Sequence, residues 1–86
     1  MSEYRVTFAR SAEKELSKLR PPAVTRIFRQ IEALADDLRP SGCTKLSGSD
    51  ALWRIRIGDY RVLYEVDDAE RVVDVFAVRH RQEAYR

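Results

Sequence analysis

Two kinds of hydrophobic spacing divide the chain into segments with different predicted structures. The first is an alternation near the amino terminus, where Tyr4, Val6 and Phe8 are separated by single polar residues. Alternation with a period of two is typical of a strand with one buried face and one exposed face. The pattern therefore predicts a short first strand that ends near Phe8.

A helical spacing replaces this alternation in the next thirty residues. Ser11 is predicted to cap a first helix, with Glu13 favourably placed in its first turn. Pro21 and Pro22 end this helix and begin a second one, because proline suits a first helical turn. The apolar stripes of the two helices are Ala12, Leu16 and Leu19, then Val24, Ile27, Phe28, Ile31, Leu34, Ala35 and Leu38. Two short amphipathic helices joined by a tight turn predict a helical hairpin laid on a sheet.

The second half of the chain returns to the strand period. Apolar and charged residues alternate from Trp53 to Ile57, and Gly58-Asp59 fits a two-residue loop of type II′. With that loop, Arg56 lies directly opposite Arg61 on the following strand. The segment is therefore predicted to be a β-hairpin.

A further strand completes the predicted sheet. Residues 72–78 are rich in valine and follow a polar turn. A turn centred on residues 68–69 would place Tyr64 opposite Val73. The predicted fold class is α+β: an N-terminal strand, a helical hairpin and then a three-stranded antiparallel meander, with the helices packed on one face of the sheet. Residues 1–86 are predicted to form a single domain.

Three arginines are predicted to lie on the sheet face that the helices leave uncovered. Strand alternation places Arg54, Arg56 and Arg61 on this face together. Like charges opposite each other destabilise a hairpin, so the pattern indicates a bound anion, and phosphate matches the guanidinium fork best. Two alternatives stay open: the arginines could be solvated surface residues, or pairing with Glu65 or with Asp74, which lies on the same face, could neutralise some of their charge.

The composition restricts the kinds of site that the chain can build. The net charge of +2, from 16 basic and 14 acidic residues, permits a nucleic-acid partner without requiring one. With one cysteine, Cys43, and one histidine, neither an internal disulfide nor a zinc site is expected. The sequence shows no apolar stretch of the roughly 20 residues that span a bilayer and no signal peptide. A cytoplasmic protein without metal or cofactor is predicted.

The basic tail, residues 79–86, carries the remaining candidate groups. His80 is a candidate acid or base, although a single histidine near a terminus is more often incidental. Tyr85 could stack on a base or exchange a proton. The sequence shows no carboxylate pair, glycine-rich phosphate loop or serine–histidine arrangement. An enzyme built from these residues would act mainly through positive charge, which favours phosphodiester cleavage.

Several motifs, in this order and spacing, carry a family resemblance. They are Tyr4-Arg5-Val6-Thr7-Phe8, the helix Ala12…Lys14-Glu15-Leu16…Lys18-Leu19, Lys45-Leu46-Ser47-Gly48, the hairpin from Trp53 to Tyr64, and His80-Arg81…Tyr85-Arg86. Through them the chain resembles the RelE toxins of type II toxin–antitoxin modules, within the wider RelE/ParE superfamily. The resemblance implies a messenger-RNA endonuclease that cuts codons in the ribosomal A site. It also implies an antitoxin that binds the toxin tightly, silences it and joins it in repressing their operon.

The resemblance also assigns roles to individual residues. Its catalytic positions fall on Arg54, Arg56, Arg61, Arg79 and Tyr85. By analogy, Arg61 holds the scissile phosphate with help from Arg56, and Arg79 helps to protonate the leaving oxygen. Tyr85 would stack on or orient the nucleotide. Lys45 and Arg81 are assigned to RNA binding.

One position departs from the family pattern. The residue at Arg54 is lysine in the best-known enzyme of the family, where it is considered the general base. Arginine is a poor proton acceptor, because its pKa exceeds about 12. Either another group or the ribosome supplies the base, or Arg54 acts only electrostatically. Two other functions stay open: a ParE-like inhibitor of DNA gyrase and a non-catalytic RNA-binding module.

Overall fold

The computed structural model describes residues 4–46, 48 and 51–80. These residues form an α+β fold, which is the predicted class, with two helices and five strands. In chain order the elements are β1 (Arg5–Phe8), α1 (Arg10–Ser17), α2 (Pro21–Leu34), β2 (Cys43–Lys45), β3 (Leu52–Ile57), β4 (Tyr60–Asp67) and β5 (Val72–His80).

The five strands form one mixed sheet in the order β1-β5-β4-β3-β2. β1 runs parallel to β5, and the other neighbours are antiparallel. The predicted three-stranded meander is therefore only the centre of a larger sheet. The pattern could not reveal β2, because its three residues are too few to show a period. It could not reveal the position of β1 either, since that strand pairs with the opposite end of the chain.

Both helices contribute to a single apolar core on one face of the sheet. Its fully buried members include Ile27, Ile31 and Leu34 of α2 together with Val62 and Val73 of the sheet. Burial of side chains of this size stabilises the fold by roughly 1.5–3 kcal/mol each. The core thus holds the helices on one side and leaves the other face of β3 and β4 for the arginines.

The helix boundaries differ from the predicted ones at two points. Ala9, not Ser11, occupies the N-cap position of α1, and the Ser11 hydroxyl instead donates to the carbonyl oxygen of Phe76 at 2.9 Å. β1 pairs with β5 only as far as Val75, and the Phe76 carbonyl beyond this point is bonded by α1 instead. α2 ends at Leu34, and the Tyr64 hydroxyl donates to the Leu38 carbonyl at 2.8 Å. Turn hydrogen bonds continue to Asp37, and the Leu38 carbonyl beyond them is satisfied by the sheet.

The β3–β4 hairpin has the predicted register. Ile57 pairs with Tyr60 across a two-residue loop, and Arg56 pairs with Arg61. Gly58 adopts a φ of +60°, which the first central position of a type II′ turn requires and which favours glycine. The two-residue loop, together with the alternation of the strands, thus determines which arginines lie opposite each other.

The predicted register of β4 and β5 is wrong. Tyr64 pairs with Val75 rather than Val73, because the connecting loop contains four residues, 68–71, instead of two. The last of them, Arg71, adopts a left-handed φ of +56°. A bulge between Leu63 and Tyr64 then shifts the remaining register by one more residue. Together, the longer loop and the bulge decide which residue of β5 meets the arginine pair.

Candidate functional site

A pocket of about 320 Å³ collects the three predicted arginines. Its lining consists of Gly42, Thr44, Arg54, Arg56 and Arg61. Three permanent cations line a space of this size, which is enough for a phosphate group and part of a nucleoside. The predicted grouping of these arginines is confirmed.

Strand pairing explains why these side chains meet. Arg56 lies opposite Arg61, and Thr44 of β2 lies opposite Arg54. Ile55 and its neighbour in alternation, Ile57, are buried in the core, so the arginines between them extend from the opposite face. Two adjacent strands, β3 and β4, therefore supply the three cations, and β2 adds Thr44 beside them.

Arg61 is the least exposed of the three cations. Only 4% of its surface is accessible, whereas Arg56 is exposed and Arg54 is half-buried. A guanidinium group loses hydration when it is buried and cannot release its proton to compensate. Its five N–H donors in a planar fork match the oxygens of a phosphate. The pocket thus combines one nearly buried cation, suited to hold an anion, with two that are more accessible.

Arg79 extends the row of arginines but turns its guanidinium towards α1. Its backbone lies directly opposite Arg61, because the bulge places it there in place of Val78. Its Nη1 forms an ion pair with Glu15 Oε2, and the other carboxylate oxygen of Glu15 accepts a hydrogen bond from the Val78 N–H at 3.1 Å. Arg79 is not among the residues that line the pocket. Its side chain remains about half exposed, at 46%.

Three other residues considered from the sequence lie away from the pocket. Lys45 is exposed on β2 and pairs with Trp53. Because side chains alternate along a strand, Lys45 lies on one face of the sheet and Thr44 lies on the other. The His80 ring packs edge-on against Tyr60, with centroids 5.3 Å apart. Asp74 accepts a hydrogen bond from the Thr7 hydroxyl at 2.7 Å, at the other end of the sheet.

Two assigned residues, Arg81 and Tyr85, lie outside the described residues. Their roles stay predictions from the family resemblance.

Two pocket residues, Gly42 and Thr44, were missed by the sequence reasoning. Both belong to the segment around β2, whose three residues are too few to show a strand period. The only available signal was a short stretch of strand-favouring residues, Cys43 and Thr44, before the family motif at Lys45. Glu15 also gives no signal of its role, because it lies outside the apolar stripe of α1.

Two tyrosines have a raised pKa, and both lie outside the pocket lining. Burial raises the pKa of Tyr64, with a smaller contribution from the neighbouring Cys43 thiol. The pKa of Tyr4 is raised mainly by its hydrogen bond to Asp68, 2.5 Å long. Both groups stay protonated at neutral pH, so they act there as hydrogen-bond donors.

Within residues 4–46, 48 and 51–80, no three His, Cys, Asp or Glu side chains are grouped so that they could hold a metal ion. In the same residues, no helix is long and apolar enough to cross a membrane.

Comparison with known proteins gives a consistent relationship. The family model of the ParE toxin of type II toxin–antitoxin systems, parDE, matches residues 6–85. A Methanocaldococcus jannaschii protein assigned as toxin RelE1 is 29% identical over 87 residues, which cover 98% of this chain and 97% of that protein.

Solved structures show the same fold. The archaeal RelE–RelB complex from Pyrococcus horikoshii OT3 matches with a TM-score of 0.82 and 29% identity, covering 94% of this chain and 97% of that one. The intact Escherichia coli RelBE toxin–antitoxin complex matches with a TM-score of 0.77 and 27% identity, covering 87% and 93% of the two chains.

The fold and the family match together define a toxin of a type II toxin–antitoxin system. Within that class, the chain belongs to the RelE/ParE superfamily and has the RelE-like fold of two helices and a five-stranded mixed sheet.

Proposed function

We propose that this toxin is a ribosome-dependent messenger-RNA endonuclease that cuts codons in the A site and thereby inhibits translation. The observation that supports this most strongly is the pocket lined by Arg54, Arg56 and Arg61. Similarity to RelE toxins supports the same function. A cluster of permanent cations on an accessible sheet face suits a reaction in which negative charge grows on a phosphate.

The bond exchange takes place within the RNA, and the arginines supply positive charge rather than a proton acceptor. The ribose 2′-oxygen attacks the adjacent phosphorus, the bond from phosphorus to the 5′-oxygen breaks, and a 2′,3′-cyclic phosphate forms. The 2′-hydroxyl gives its proton to a base outside these arginines, which the ribosome or solvent supplies, and the 5′-oxygen gains a proton. Arg61 holds the phosphate and stabilises its extra negative charge, with Arg56 beside it.

Protonation of the leaving oxygen is assigned to a residue next to the pocket. Arg79 would help to protonate the leaving oxygen, which requires its guanidinium to turn from Glu15 towards the pocket. Arg54 would act electrostatically, because arginine is a poor base. Tyr85 would orient the nucleotide, while Lys45 and Arg81 would contact RNA outside the pocket.

A cognate antitoxin is the expected protein partner. The Pyrococcus horikoshii and Escherichia coli relatives were both solved as complexes with RelB. By analogy, we propose that a small protein silences this chain, either by covering the arginine pocket or by changing the arrangement of its side chains.

The experiment that tests the function is expression of the toxin in cells, with mapping of transcript 5′ ends. The wild-type chain should arrest growth and produce new ends within translated codons. Arg61→Ala should abolish both, and Arg29→Ala, which removes an exposed arginine from α2, should abolish neither. Growth arrest without new transcript ends would contradict the proposal.

A second candidate, inhibition of DNA gyrase, is favoured by one observation: the matching family model is that of the ParE toxin. A gyrase inhibitor would not need the arginine pocket for RNA chemistry. A supercoiling assay with purified gyrase separates the two functions. This candidate would be favoured over the nuclease if one equivalent of toxin per gyrase stopped supercoiling and the Arg61→Ala variant stopped it equally well.

A further inference from the structure

The arginines of the pocket can donate hydrogen bonds but cannot accept them. A guanidinium group carries five N–H donors and has no acceptor. A phosphate needs only donors, so Arg54, Arg56 and Arg61 suffice to bind it. A ribose 2′-hydroxyl differs, because it both donates and accepts a hydrogen bond. The arginines can therefore donate to the 2′-oxygen, but only an acceptor beside them can bind the hydroxyl proton and fix the direction in which it points.

Thr44 supplies that acceptor. Among the five residues that line the pocket, it is the one whose side chain both accepts and donates hydrogen bonds. Its residue is exposed on the edge strand β2, directly opposite Arg54. Among the residues that the structure describes, its hydroxyl has no hydrogen-bond partner, whereas the Thr7 hydroxyl on the other edge of the sheet is bonded to Asp74 at 2.7 Å.

The neighbouring wall gives a ribose room to approach this hydroxyl. Gly42 has no side chain, and a Cβ placed there would meet no atom within 4 Å. Arg54 and Arg56 are two residues apart on β3, so their Cα atoms are separated by roughly 7 Å. A phosphate held by Arg56 and Arg61 would leave the attached sugar beside Arg54 and Thr44.

We infer that Thr44 recognises the ribose 2′-hydroxyl and gives the pocket its preference for RNA over DNA. The inference rests on the proposed function only in taking RNA as the ligand. Thr44 then orients the nucleophile of the proposed reaction, although its hydroxyl is not the base. This role is separate from charge, which attracts both nucleic acids equally.

The test compares the binding of a short single-stranded RNA with that of a 2′-deoxy oligonucleotide of the same sequence. The wild-type protein should bind the RNA more tightly. Thr44→Val keeps the shape and the β-branch of threonine but removes the hydroxyl, so it should weaken RNA binding roughly 2- to 12-fold, the range of one hydrogen bond. DNA binding should be unchanged. Thr44→Ser should keep the preference for RNA.

Two further variants make the result specific. Thr7→Val removes a hydroxyl from the opposite edge strand and should leave the preference intact. Thr44→Ala repeats the test should the valine variant fail to fold, and it carries the same expectation. A general structural defect would weaken both ligands together, whereas loss of a ribose contact affects RNA alone.

Each outcome decides the inference. It is overturned if Thr44→Val keeps the full preference, if the wild-type protein shows none, or if neither ligand binds. If Thr44→Val keeps the preference for RNA while the wild-type protein cuts messenger RNA on ribosomes, the role of Thr44 is wrong and the proposed function stands. If Thr44→Val loses the preference while the wild-type protein leaves messenger RNA intact, the role of Thr44 stands and the proposed function is wrong.

Discussion

A guanidinium group at position 61 differs from an ammonium group in ways that the pocket uses. Its planar fork can hold two phosphate oxygens at once, and it is more weakly hydrated, so it tolerates an accessible surface of only 4%. Lysine would keep the charge but place it at a single point. Position 61 therefore tests geometry separately from charge.

Arg61→Lys should lower the rate of messenger-RNA cleavage on ribosomes at least about 100-fold, the scale of losing one well-placed transition-state donor. Single-turnover cleavage measures this rate, and circular dichroism checks the fold. Arg29→Lys on the exposed surface of α2 is the control and should cleave at the wild-type rate. Equal rates for Arg61→Lys and the wild-type protein would show that charge alone is sufficient.

Tyr64 gives the protein a predictable sensitivity to alkali. Burial raises the pKa of its phenol in the folded state above the value near 10 of an unfolded chain. Its contribution to stability is therefore fully present below about pH 10 and is lost as the pH rises further, because the unfolded chain releases the proton first.

Urea unfolding at pH 8 and at pH 11 measures this effect. The free energy of unfolding should fall between the two pH values, and Tyr64→Phe should reduce the fall. At pH 8 the same variant should be less stable by about 1 kcal/mol, since the Leu38 carbonyl loses its donor. Tyr4→Phe should reduce the fall less than Tyr64→Phe, because the Tyr4 hydroxyl bonds Asp68 at the surface, where solvent screens the interaction that raises its pKa. An unchanged pH dependence in Tyr64→Phe would contradict this account.

At the scale of the elements, prediction succeeded where the relevant interactions are local. The β3–β4 hairpin followed from alternation and from Gly58-Asp59, and it correctly placed Arg56 opposite Arg61. The next hairpin failed because a four-residue loop and a bulge leave little trace in the hydrophobic pattern. The position of Arg79 opposite Arg61 therefore came only from the structure.

Contacts between distant elements were also beyond the sequence. Thr44 joins the pocket because a three-residue strand pairs with β3, and Glu15 meets Val78 because α1 covers the edge of β5. Neither pairing depends on local spacing. The arginine cluster was predictable from one hairpin, whereas its surroundings required the whole sheet.

Glu15 should tie α1 to β5 energetically. Its carboxylate accepts the Val78 N–H and forms an ion pair with Arg79. Glu15→Ala should lower the free energy of unfolding by about 1–3 kcal/mol, because a backbone donor loses a charged partner. Glu13→Ala, an exposed acid on the same helix, should change it by less than about 0.5 kcal/mol. Equal effects in urea unfolding would mean that the Glu15 contacts carry no stability.

Over the whole molecule, positive charge is concentrated at the arginine pocket, while the net charge of the chain is small. The net charge is only +2, yet three arginines surround one pocket. Affinity for single-stranded RNA should therefore depend on salt through the pocket, with each phosphate contact contributing a slope of about −0.7 in log affinity against log salt.

The Arg54→Ala/Arg56→Ala variant should flatten this salt slope by about 1.4, the sum for two contacts. Lys14→Ala/Lys18→Ala removes the same charge from two exposed residues, one on α1 and one at its C-cap, and should change the slope far less. Fluorescence anisotropy of a labelled RNA from low to moderate salt measures both. Equal slopes for the two variants would indicate binding by net charge and would remove the special role of the pocket.

The central claim is that the arginine pocket cuts messenger RNA within the ribosome. The most direct measurement is primer extension on a defined messenger RNA in a purified translation system, with wild-type protein and with Arg61→Ala. The account predicts breaks within the A-site codon for the wild-type protein, dependent on the ribosome, and none for Arg61→Ala. An intact transcript with active wild-type protein, or equal cleavage by both, would contradict it.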